Sequence, residues 1–79
     1  MRLFFDFAAK DQSLRDYQGG DFRTHQSAIE YADAVAYHMK NSLLGDWIGW
    51  CIEVRNAEGI KLFSLPVELA GRFETAQLD

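Results

Sequence analysis

The stretch THQSAIEYADAVAYHMKNSLLG, residues 24 to 45, is where the spacing of apolar residues turns helical. Ala28, Ala32, Val35, Ala36, Met39 and Leu43 fall on one stripe when placed at about 100° per residue. Ile29 and Tyr31 flank that stripe. Glu30, Asp33, Tyr37, Lys40 and Asn41 lie opposite. Thr24 is suited to the N-cap, because its hydroxyl can accept from an orphan N–H of the first turn. Ser27 to Glu30 forms a rival capping box. Thr24 is preferred, since Phe22 can then pin the approaching chain and Ala28 starts the buried stripe. Gly45 is expected to end the helix after Leu44.

On either side the period drops to two. In RLFFDFAA (2–9), Leu3, Phe5 and Phe7 point one way while Arg2, Phe4 and Asp6 point the other, which reads as a strand. KDQS (10–13) is turn-like, and LRDY (14–17) reads as a short return strand. QGGD (18–21) supplies the glycines that a sharp change of direction needs. Beyond the helix, DWIGWCIEVRN (46–56) alternates again. Ile48, Trp50, Ile52 and Val54 share one face; Trp47, Gly49, Cys51, Glu53 and Arg55 share the other. NAEG (56–59) is a hairpin turn with Gly59 at a left-handed position, and IKLFSL (60–65) is its partner strand. Pro66 stops that strand and is placed to start a short C-terminal helix.

The order is therefore ββαββ. The expected fold is α+β: a mainly antiparallel four-stranded sheet with one long helix on one face. The 79 residues make a single domain, with an ordered core over about 2–66 and a tail over 67–79. The expected core is Leu3, Phe5, Phe7, Phe22, Ala28, Ala32, Val35, Ala36, Met39, Leu43, Ile48, Trp50, Ile52, Val54 and Leu62. The helix-free face is then expected to carry Phe4, Trp47, Cys51, Phe63 and Leu65. A bulge at Gly59 sends Phe63 out, and without it the register slips and Phe63 goes in. The tail residues Val67, Leu69 and Phe73, or a second copy of the chain, would cover this patch. Tyr37, in the middle of the polar helix face, marks a further contact position.

Composition narrows the function. The apolar fraction of 48% argues for a folded domain. The net charge is −4, and the basic residues form no run, which argues against nucleic acid and an anionic membrane as partners and leaves DNA a remote third possibility. The one cysteine staples nothing, and no stretch reads as a signal peptide or a membrane span, so a cytoplasmic protein is expected.

No catalytic, cofactor or metal site emerges. His25 and His38 are about 20 Å apart along one helix and cannot share a zinc. Cys51 has only Arg55 nearby along the strand to lower its pKa, so it reads as a packing residue and not as a nucleophile. Asp6, Asp11, Asp16 and Asp21 recur at a spacing unlike a calcium loop. Asp6 and Asp16 are expected to face each other across the first hairpin, an unfavourable pair unless Arg2 or Arg15 intervenes. Gly19-Gly20 lacks the rest of a phosphate-binding fingerprint and reads as a turn.

RLFFDF, the D-x-x-G-x-x-F spacing of Asp16, Gly19 and Phe22, Ala28 with Ala32, and EVRNAEG together resemble a small bacterial family of about this length whose function is unknown. The resemblance covers roughly residues 2–66. Thr24 stands where an acidic cap is usual and Asn56 where an aspartate is, and both keep the local chemistry. The family implies no activity, cofactor or catalytic residue. A looser likeness is to antitoxins of the HicB type, over the strand, strand, helix portion to about residue 44; no basic DNA-binding extension follows here. The expected function is a non-enzymatic protein-interaction module that forms a homodimer through the helix-free sheet face. The alternative is a regulatory, antitoxin-like protein that binds a protein partner.

Overall fold

A computed structural model describes residues 1–42 and 46–71. The elements are β1 (Arg2–Ala8), β2 (Ser13–Leu14), β3 (Gly20–Asp21), α1 (His25–Lys40), β4 (Cys51–Asn56), β5 (Lys61–Pro66) and a 3₁₀ turn over Val67–Leu69. The sheet is antiparallel, in the order β2-β1-β4-β5, and β3 also pairs with β1. β1 therefore lies inside the sheet. Its partner β4 arrives only after the helix, with Leu3 opposite Asn56 and Ala8 opposite Cys51.

The register sorts the residues by face. Phe5 opposes Val54 and Phe7 opposes Ile52, so these apolar residues share the helix side. Leu3, Ile52 and Val54 are fully buried there beneath Ala28, Ala32 and Ala36. The alanine stripe lets the helix approach β4 and β5 closely, since small side chains hold two elements only a short distance apart. Phe5, Phe7, Phe22, Val35, Met39, Trp50 and Leu62 pack around this core, as the periodicity predicts. Leu43 and Gly45 lie outside the described residues.

Thr24 caps α1 as expected. Its Oγ1 accepts from the Ser27 N–H at 3.0 Å, and Ser27 completes a capping box with it. The last helical residue is Lys40, followed by Asn41 at the C-cap, whose N–H donates back to Tyr37. Asp33, expected on the polar face, is instead 1% exposed. The Gly71 N–H donates to its Oδ1 at 2.9 Å, because the chain after the 3₁₀ turn packs along that flank of the helix.

Three other expectations are corrected. The strand over 46–56 begins only at Cys51, because residues 46–50 form a turn. Asp46 Oδ1 accepts from the Ile48 N–H, Glu68 Oε1 accepts from the Gly49 N–H, and Gly49 has φ +84°. Ile48 leaves the core and is 76% exposed. The return strand shrinks to Ser13–Leu14, and Gly20–Asp21 adds a short strand against Arg2 and Leu3. Lastly, the irregularity in the second hairpin lies at Leu62. Val54 opposes Phe63 while Arg55 opposes Lys61, and Gly59 only closes the turn, with φ +87°. That bulge turns Phe63 and Leu65 toward the helix and leaves Ile60 exposed. The core continues through Val67 and Ala70.

Candidate functional site: a cleft beside the helix

The edge of β1 is unusual between its two short partners. β2 pairs at Phe7 and Ala8, β3 pairs at Arg2 and Leu3, and a side chain fills the interval. Asp16 Oδ2 accepts from the Phe5 N–H at 3.1 Å, and Oδ1 accepts from the Gln18 and Gly19 N–H groups, each at 3.0 Å. A carboxylate thus stands in for a strand. Burial alone would raise the Asp16 pKa, but the N–H groups of Gly19, Phe5 and Gln18 and the nearby Arg55 guanidinium hold it below the ordinary 3.8. Gly19 has φ +69°, and a Cβ there would meet the Leu3 carbonyl oxygen at 2.7 Å and the Phe4 ring at 2.9 Å. The D-x-x-G-x-x-F spacing is thereby explained as edge closure, with Phe22 the ring that follows.

Arg55 resolves the expected clash of Asp6 and Asp16, where the sequence suggested Arg2 or Arg15. Its Nε donates to Asp6 Oδ2 at 2.7 Å, its Nη2 donates to the Asp16 carbonyl oxygen at 2.7 Å, and its guanidinium lies 4.6 Å from the centre of the Phe4 ring. Lys61 pairs with Glu53 on the same face at 3.0 Å.

The helix-free face is consequently polar. Phe4 is there as expected, but it lies beneath Arg55 and against Gly19. Cys51 is there too, half-buried, opposite Ala8 and Pro66. Phe63 and Leu65 belong to the helix side. Trp47 packs on the core in edge contact with Trp50, centroids 5.4 Å apart, and its buried Nε1 has no hydrogen-bond partner among the described residues. Tyr37 is exposed on α1 beside His38, with Gly71 close to its ring. Of the tail, Val67 is buried, Leu69 is exposed and Phe73 lies outside the described residues. The six expected contact residues thus form no common patch.

A different surface does. The helix sits over β4, β5 and the 3₁₀ turn, which leaves the β1 side of the sheet partly uncovered. Phe5, Phe22 and Tyr31 meet there edge to face or tilted, with centroids 5.1 to 5.4 Å apart. Beside them opens a cleft of about 510 Å³, lined by the apolar Phe5, Phe7, Phe22, Tyr31, Val35 and Ile52 and by Leu14, Arg15, Asp16 and residues 19–21. Such a volume with mostly apolar walls and few polar groups suits a bound apolar group. Leu14 and Tyr31 remain 57% and 50% exposed at its mouth. Sequence reasoning missed this site. The only signal was Tyr31 and Val35 one turn apart, large residues beside a stripe of alanines.

Among the described residues no group of three or more His, Cys, Asp or Glu side chains could hold a metal ion. Arg55, the cation that the sequence places nearest Cys51 along the strand, is bonded instead to Asp6 and to the Asp16 carbonyl oxygen. No described helix is long and apolar enough to cross a membrane. Neither the curated proteins nor the solved structures contain a match to this chain. One family does match, over residues 2–68, and it spans both hairpins, the helix and the Asp16 closure of the β1 edge: the chain belongs to the domain of unknown function DUF6894.

Proposed function

We propose that this chain is a non-enzymatic binding module whose recognition surface is the cleft between β1 and α1. The observation that carries the reading is the open aromatic wall of Phe5, Phe22 and Tyr31 in a cleft of about 510 Å³. Folding alone does not need such an opening in so small a core, because filling it would bury more apolar surface. Catalysis draws no support, since no nucleophile, base and orienting group meet among the described residues.

Self-association through the helix-free sheet face draws less support than the cleft. That face carries the Asp6–Arg55 and Glu53–Lys61 pairs, and among the described residues its apolar members are the covered Phe4, the half-buried Cys51 and the two residues opposite it, Ala8 and Pro66. The HicB-type alternative, a regulator that binds a protein partner, would use the cleft as its contact.

Leu14 tests the reading because it borders the cleft while being largely exposed, so its replacement spares the core. The dye 8-anilinonaphthalene-1-sulfonate should brighten with the wild-type protein and lose most of that signal with Leu14→Asp, with circular dichroism unchanged. Light scattering on the same samples should give a monomer. Undiminished dye binding by the variant would remove the cleft as the site, and a dimer dispersed by Ser64→Arg would return the contact to the helix-free face.

A further inference from the structure

The polar groups at the mouth of the cleft select among apolar ligands. Asp16 commits its oxygens to the N–H groups of Phe5, Gln18 and Gly19. Asp21 is paired with Arg2 at 3.0 Å. Both carboxylates are therefore already partnered. Arg15 lines the same cleft and has no hydrogen bond or ion pair among the described residues. Tyr31 lines it too, and its hydroxyl likewise has no hydrogen-bond partner among them. The two uncommitted polar side chains of the lining are thus both donors, and one of them carries a full positive charge.

We propose that the cleft binds a small apolar carboxylic acid, its hydrocarbon or aromatic body against Phe5, Phe22 and Val35 and its carboxylate at the mouth with Arg15 and Tyr31. This rests on the cleft being the binding site. A guanidinium presents a planar fork that matches a carboxylate in two parallel hydrogen bonds, which a neutral head group does not use. Asp16 and Asp21 line the same cleft, but each is already offset, Asp16 by the three N–H groups it accepts from and Asp21 by Arg2. Charges farther than about 8 Å are largely screened at physiological salt. Size fits as well, since about 510 Å³ takes a body of several carbons with the acid group left at the opening.

Octanoate and its neutral counterpart 1-octanol separate the two parts of the idea. Each is titrated into ¹⁵N-labelled protein at neutral pH and physiological salt, with amide shifts read at Phe5, Phe22, Tyr31 and Val35. The expected result is that both perturb these amides and that octanoate binds about fivefold more tightly, the size of an exposed arginine pair. Arg15→Gln should erase that preference and leave 1-octanol binding as it was. The variant should melt like the wild type, because Arg15 is exposed and bonds to nothing among the described residues. Equal binding of the two probes would overturn the acid preference while the cleft stands as the site. A preference that survives Arg15→Gln would overturn the role of Arg15. No shift with either probe would overturn the cleft itself.

Discussion

Three demands meet on the guanidinium of Arg55. It pairs with Asp6, donates to the Asp16 carbonyl oxygen and covers the Phe4 ring. Without it, Asp6 would stand directly opposite Glu53 with only the Lys61 partner of Glu53 to offset two negative charges, and like charges in that position repel. Lysine carries the same charge but has neither the fork nor the flat face. Arg55→Lys is therefore expected to lower stability by about 1–2 kcal/mol, because it removes one charge-assisted hydrogen bond and the stacking on Phe4. Urea melts at neutral pH check this, and an unchanged midpoint would show that the tie contributes nothing. Gly19 is the second such position. Alanine there would meet the Leu3 carbonyl oxygen and adopt φ +69°, so Gly19→Ala should cost about 2 kcal/mol or more on the same measurement.

At the scale of elements, what was legible in the sequence is what depends on neighbours in the chain. The alanine stripe and the Thr24 cap identify α1, and Thr24→Ala should lower the thermal midpoint by an amount equivalent to about 1 kcal/mol. The alternation of Leu3, Phe5 and Phe7 identifies β1 and its buried face. The failures come from partners remote in sequence. Residues 46–50 alternate as a strand would, yet the Glu68 carboxylate holds Gly49 in a turn. Asp33 sits among polar helix residues, yet the backbone at Gly71 arrives to satisfy it. Phe63 and Leu65 change face because of one extra residue at Leu62, and no local composition marks a bulge there. The cleft is less legible still. It is a space, set by where the helix lies across the sheet, and the residues around it come from β1, β2, the 19–22 loop, α1 and β4.

The molecule as a whole manages its sheet edges. One edge is cut into two strands of two residues each, with a carboxylate between them. The other ends in Pro66 and is bent at Leu62. Interrupted edges of this kind resist pairing with another copy. The Asp16 closure also makes stability depend on acid. Because the folded pKa of Asp16 lies below its unfolded value, its contribution is complete above the ordinary aspartate pKa of 3.8 and is lost as pH falls through the folded value. Urea melts between pH 7 and pH 3 should show a smaller fall in Asp16→Asn than in the wild type. A parallel fall in both would assign the acid sensitivity to other carboxylates.

Placing the first strand inside the sheet also decides how the chain can fold. The β1–β2 and β4–β5 turns close locally and early, but neither hairpin has a core of its own. The fold becomes stable only when β1 finds β4, a closure in which Asp6 and Arg55 meet across 49 positions of chain. The loop entropy of that encounter is lost before Leu3, Ile52 and Val54 can be buried together. The search for the central strand pair, rather than growth of the helix, is therefore expected to set the pace of folding. Phe7→Ala should then slow refolding in stopped-flow, while an exposed helix substitution such as Glu30→Gln leaves it unchanged.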